Sequence, residues 1–139
     1  KISTAGFKAL VEAVWPALTS FKAESARAAF DGPDALGAAA FAGFPVLEEL
    51  DLKYVHLNDC FSDSAPHGAA LLASRRWPRL KKLKLYGTWL GRAGLKALAH
   101  GAWPALEELD LGFNSSLKHL SLSLKDVRPW APALVRLNL

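Results

Sequence analysis

Residues 104–111 read PALEELDL. Leu106, Leu109 and Leu111 are apolar. Glu108 and Asp110 flank Leu109, so Glu108 to Leu111 alternates polar and apolar. A period of two marks a short strand with one buried face. The phrase recurs along the chain as PALTSFKA, PVLEELDL, PRLKKLKL and PALVRLNL. Its first leucines are Leu18, Leu47, Leu80, Leu106 and Leu134, spaced by 29, 33, 26 and 28 residues. An aromatic residue precedes the proline in four copies, as Trp15-Pro16, Phe44-Pro45, Trp77-Pro78 and Trp103-Pro104, and Trp130-Ala131-Pro132 is a looser fifth.

Ahead of most copies stands a glycine followed by an Ala/Leu-rich stretch: Gly6 to Val14, Gly68 to Arg76, Gly94 to Ala102. Ala and Leu favour helix, and a proline ends it. Each unit therefore reads as strand, loop, short helix, turn. A single unit cannot bury its apolar face alone. Stacked units produce a parallel sheet on one side, helices on the other, and a leucine core between them. Two stretches break the rhythm. Asn58–Pro66 (NDCFSDSAP) has loop chemistry. Across Ser115–Pro129, helix and irregular backbone both stay open.

The pattern L-x-x-L-x-L-x-x-N, present as Leu106, Leu109, Leu111 and Asn114, resembles a leucine-rich repeat. The period near 28 and the helical back face resemble the ribonuclease-inhibitor-like subclass, also seen in F-box/leucine-rich-repeat proteins. The resemblance implies an α/β solenoid, a horseshoe of about five repeats with its parallel sheet on the concave face and short helices on the convex face. Residues 1–139 would form one such domain. The lack of Met and the stop at Leu137-Asn138-Leu139, inside the pattern, lead us to expect a piece of a longer solenoid. In the family the Asn side chain bonds neighbouring backbone at the turn. Ala26, Val55 and Thr88 hold that position in other copies, so a looser turn ladder is expected toward the N-terminus. Phe21 and Ala23 replace leucines in the first copy.

Composition excludes several functions. Hydrophobic residues at 51% and charged residues at 22% suit a globular domain rather than a disordered chain. No apolar run reaches the roughly 18 residues of a membrane span, and no signal-peptide layout opens the chain. The single cysteine, Cys60, has no internal disulfide partner and favours a reducing, intracellular compartment. His56, His67, His100 and His119 fall in different units or on different faces, and only His56 and Cys60 come near each other, so no metal site is expected. Neither a nucleophile elbow nor a phosphate loop appears. Glu48-Glu49 and Glu107-Glu108 are adjacent on strands and point apart. No enzyme and no cofactor is expected.

Arg75, Arg76, Arg79, Lys81, Lys82 and Lys84 crowd together around Trp77 and invite a nucleic-acid reading. The register argues against it. Stacking places Ser20, Glu49, Lys82, Glu108 and Arg136 in one outward row. Lys22, Asp51, Lys84, Asp110 and Asn138 form a second. Signs alternate at the roughly 4.8 Å spacing of strands, and a face that neutralises itself is a poor phosphate trap. The net charge of +4 permits an acidic partner without demanding one.

Aromatic residues at the strand ends are the stronger lead. Tyr54, Tyr86, Trp89 and Phe113 are placed to decorate one rim of the open face, the tyrosines exposed. For Trp89 and Phe113, rim exposure and packing under the neighbouring loop both remain open. Trp15, Trp77, Trp103 and Trp130 share a register and should form a structural stack at the helix-to-strand turn. The expected function is binding of another protein on the concave face and its rim. Tyr54, Tyr86, Trp89 and Phe113 would be anchors, and Lys53, Lys82, Lys84, Asp51 and Asp110 would set complementarity. Two alternatives are the substrate-receptor portion of an F-box ubiquitin ligase, which the resemblance implies, and a structural subunit of a large assembly.

Overall fold

A computed structural model describes residues 3–24, 40–57 and 67–139. The expectations for Ala26, Cys60 and the 58–66 loop lie outside these residues, as does the side chain of His67. In chain order the described elements are helix α1 (Thr4–Glu12), strand β1 (Ser20–Lys22), β2 (Glu49–Asp51), α2 (His67–Ala73), β3 (Lys82–Lys84), α3 (Arg92–Ala99), β4 (Glu108–Asp110), a 3-10 turn (Ser115–Leu117), α4 (Leu124–Val127) and β5 (Arg136–Asn138). The strands form one parallel sheet in the order β1-β2-β3-β4-β5.

The register is the one the repeated phrase implies. Glu49 pairs with Ser20 and Lys82, and Glu108 with Lys82 and Arg136. Asp51 lies between Lys22 and Lys84, and Asp110 between Lys84 and Asn138. The central residues Leu50, Leu83 and Leu109 are buried, together with Leu47, Leu80, Leu106 and Leu134 ahead of them and Leu52, Leu85 and Leu111 after them. One contiguous core results. Deleting a leucine from such a core costs about 2–5 kcal/mol.

The helices start and stop earlier than the glycines suggest. Gly6, Gly68 and Gly94 sit inside the first turns, while Ser3 and Gly91 occupy the N-cap positions of α1 and α3. The Ser3 hydroxyl accepts from the Gly6 amide at 3.1 Å, satisfying a donor that a helix start leaves free. At the other end, the indole N–H groups of Trp15, Trp77 and Trp103 donate to the carbonyls of Leu10, Leu72 and Leu98 at 2.8, 2.8 and 2.9 Å. Each of these three tryptophans thus binds a carbonyl in the last turn of its helix; those of Leu72 and Leu98 also accept from the Arg75 and Gly101 amides.

The expected four-tryptophan stack is shorter than the shared register suggests. Trp77 and Trp103 stack at 6.3 Å with rings only 8° apart. Phe41 and Phe44 continue the run on the N-terminal side, whereas Trp15 is exposed and Trp130 half-buried. Residues 115–129 adopt the irregular alternative, a 3-10 turn and a single helical turn. That last turn is held by Asp126, whose carboxylate accepts from both the amide (2.8 Å) and the hydroxyl (2.7 Å) of Ser123. Among the described residues, no helix is long and apolar enough to cross a membrane.

Candidate functional site

The strand register continues into the turns that follow. The Leu52 amide donates to the Lys84 carbonyl, Tyr54 to Tyr86, Leu85 to Asp110, and Gly87 to Gly112, all at 2.8–2.9 Å. Turn residues are therefore ranked abreast like strand residues. Tyr54, Gly87 and Phe113 form one row, and His56, Trp89 and Ser115 form the next.

The backbone at this rim is unusual. Phe41, Tyr54, Trp89 and Phe113 have φ of 61°, 55°, 60° and 58° and are the non-glycine residues with positive φ among those described. For an L-residue this conformation costs about 1–2 kcal/mol. Three of these four aromatics stand at the rim, and they are 38%, 44% and 66% exposed at Tyr54, Trp89 and Phe113. Gly87, in the same row as Tyr54 and Phe113, has φ of 63°. A Cβ there would sit 2.7 Å from the Tyr54 ring, and one at Gly112 would sit 2.9 Å from the Tyr86 ring. Each tyrosine thus lies over a glycine of the following unit.

The rings then meet one another. Tyr86 stacks on Phe113 at 5.5 Å and 11°, and Tyr54 meets Tyr86 and Phe113 edge-on at 5.4 and 6.3 Å. Trp89 meets the His56 ring edge-on at 5.5 Å. Partial burial and a hydrogen bond with Tyr86 push the Tyr54 phenol above its ordinary range, and the charge of Glu24 adds to the effect. Tyr86 is half-buried, not exposed as expected, because it is the ring pressed between Tyr54, Gly112 and Phe113. Trp89 and Phe113 take the rim placement rather than packing under a loop.

Between these rows opens a cleft of about 590 Å3, lined by Tyr54, His56, Gly87, Trp89, Phe113, Ser115, Ser116 and Lys118. That volume falls within the roughly 300–1,000 Å3 typical of ligand sites. His56, Ser115, Ser116 and Lys118 were not anticipated. Extending the lateral rows past the strand ends would have found His56 and Ser115, which share the Trp89 register.

One side chain ties the turns together. Asn114 is buried, and its amide group donates to the carbonyls of Leu85 (2.9 Å) and Leu111 (2.7 Å) while its oxygen accepts from the Leu90 amide (2.8 Å). It ties its own turn to the preceding one, the role expected of an asparagine there. Thr88 substitutes in part, donating to the Leu85 carbonyl at 2.9 Å, whereas Val55 only fills space.

The open sheet face is cross-linked laterally. Glu49 accepts from Lys84 at 2.8 Å and pairs with Lys22 at 3.2 Å; Arg136 reaches Glu108 at 3.3 Å; Lys81 reaches Glu48 at 3.0 Å. The Lys84 hydrogen bond, with Lys22 beside it, lowers the Glu49 carboxyl to about 2, against the opposing effect of partial burial. Lys84 is raised in turn, chiefly by Glu49. Asp51 accepts from the Lys53 amide, and Asp110 from the Gly112 amide and the Asn138 side chain, so both carboxylates also brace the turns. Lys82 is exposed and has no ion pair among the described residues, and Lys53 is half-exposed. Arg76 and Arg79 stand exposed beyond α2, with Arg75 half-buried.

Among the described residues, no three His, Cys, Asp or Glu side chains converge as metal ligands would. His100 and His119 are both exposed. Comparison with family models, curated proteins and solved structures finds no match to this chain.

Proposed function

We propose that the chain is a leucine-rich-repeat segment of the ribonuclease-inhibitor-like kind, and that its work is to bind another protein. Recognition runs along the open sheet face and its rim. Tyr54, Trp89 and Phe113 serve as anchors, with Tyr86 beneath them. Lys53, Lys82, Lys84, Asp51 and Asp110 set the electrostatic pattern beside them, Lys82 most openly. The repeated phrase, the parallel strand order and the asparagine at the turn support the family assignment.

One observation carries the binding assignment: three exposed aromatics are held at strained positive φ around an open cleft. Such strain destabilises the fold by about 1–2 kcal/mol per residue. Exposed rings recover only part of it through packing. Strained residues of this sort gather where a surface does work beyond folding, and exposed Trp and Tyr anchors dominate protein-binding energies. The laterally neutralised sheet face favours a protein over nucleic acid.

The test is quantitative. For a protein isolated on the wild-type chain, Trp89→Ala combined with Phe113→Ala should weaken binding by tenfold or more, with thermal melts confirming that the variant is folded. Unchanged affinity would reject the rim as the recognition surface.

A further inference from the structure

The cleft differs from the sheet face in charge. Across the face, Glu49, Asp51 and Glu108 each have a basic partner within 4.0 Å, and Glu48, just ahead of β2, pairs with Lys81. Among the described residues, the cleft lining contains one full cation, Lys118, and no carboxylate. Lys118 is exposed and has no ion pair among the described residues. Ser115 and Ser116, also in the lining, are exposed and place two further hydroxyl donors beside it. Three further lining residues are aromatic: Tyr54, Trp89 and Phe113. The same cleft thus combines aromatic surface with hydroxyl donors and a cation.

We infer that the cleft takes a short segment of a partner protein in which an aromatic side chain is followed directly by an acidic one. The aromatic ring packs against Trp89 and Phe113, and the carboxylate faces Lys118 and the two serine hydroxyls. This deepens the protein-binding reading and rests on it. A cationic neighbour to the aromatic is disfavoured, because Lys118 would repel it and no carboxylate among the described lining residues would receive it. The overall charge of +4 acts in the same direction at longer range.

The probes are three blocked tetrapeptides, acetyl-Gly-Trp-Glu-Gly-amide and its Gln and Lys counterparts, titrated into the whole chain. Binding is read from the amide resonances of Ser115 and Ser116 and the indole resonance of Trp89. The Glu peptide should bind about 2- to 5-fold more tightly than the Gln peptide, the worth of one partly exposed ion pair, and the Lys peptide most weakly. Raising salt to about 1 M, where screening acts within roughly 3 Å, should erase the preference. In Lys118→Glu, a surface change that leaves the core untouched, the order should reverse.

Equal binding of the Glu and Gln peptides, or an unchanged order in Lys118→Glu, overturns the inference. Perturbation that depends on Trp89 but ignores peptide charge also overturns it, while leaving the broader protein-binding reading standing. Failure of all three peptides to perturb the cleft overturns it as well. The broader reading is then decided separately by the Trp89 and Phe113 variants against an isolated partner.

Discussion

Replacing Phe113 first by alanine and then by glycine isolates the backbone strain at the rim. Both variants lose the same ring, with its stacking on Tyr86 at 5.5 Å and its edge contact with Tyr54 at 6.3 Å. They differ only in the residual Cβ and in chain entropy. At φ of 58° an alanine retains the left-handed penalty of about 1–2 kcal/mol, and glycine escapes it. Glycine in turn loses about 0.4–1 kcal/mol through the greater freedom of its unfolded chain. The difference leaves Phe113→Gly more stable than Phe113→Ala by about 0.8 kcal/mol, or about 3 °C in melting temperature for a chain of this size. Urea unfolding with unchanged slope, together with thermal melts, measures it. The sign is the reverse of what glycine does at an ordinary exposed position. Gly87→Ala provides the complementary case. It acquires the same penalty and also places a Cβ 2.7 Å from the Tyr54 ring, so it should cost about 1–2 kcal/mol or more. If Phe113→Ala proves as stable as Phe113→Gly, the rim is not strained and the argument from strain to function fails.

Other outcomes follow from the same geometry. The folded-state pKa of Glu49, about 2, lies below its ordinary value of 4.5. The stability it contributes is therefore present above pH 4.5 and lost as pH falls toward 2, so wild type should exceed Glu49→Gln at pH 6 and converge with it near pH 2 in urea titrations. Asn114→Ala strips partners from the Leu90 amide and the Leu111 carbonyl, leaves the Leu85 carbonyl to the Thr88 hydroxyl, and should cost about 3 kcal/mol by chemical denaturation. Trp103→Phe removes the 2.9 Å bond to the Leu98 carbonyl while keeping an aromatic ring, as Phe44 does naturally in its unit. It should cost about 1 kcal/mol, with faster amide exchange at the end of α3.

The sheet was legible because the alternation in PVLEELDL, PRLKKLKL and PALEELDL permits one register. A slip of one residue would turn Leu50, Leu83 and Leu109 outward. That register fixed the charge rows and placed Tyr54, Tyr86, Trp89 and Phe113 at one rim. The cleft itself was less legible. Past the strand ends the period of two no longer constrains which side chains converge, so Ser116 and Lys118 carried no pattern, and His56 and Ser115 were marked only by sharing the Trp89 row. Positive φ at tyrosine, tryptophan and phenylalanine runs against local preference, and only Gly87, aligned with Tyr54 and Phe113, hinted at it. The helix starts were misplaced for a related reason: glycines within the first turns of α1, α2 and α3 look like boundaries in sequence, while the N-cap position belongs to Ser3 in α1 and Gly91 in α3.

Tyr54, from one unit, and Phe113, from two units further along, are brought together across Gly87. Nuclear Overhauser contacts between the ring protons of Tyr54, Tyr86 and Phe113 measure this directly. Strong Tyr86–Phe113 and Tyr54–Tyr86 contacts, a weaker Tyr54–Phe113 contact and ring-current shifts at the Gly87 α-protons are expected. Sharp, unshifted ring signals with no contacts among the three would show that the turns are not stacked in register and that the cleft does not form.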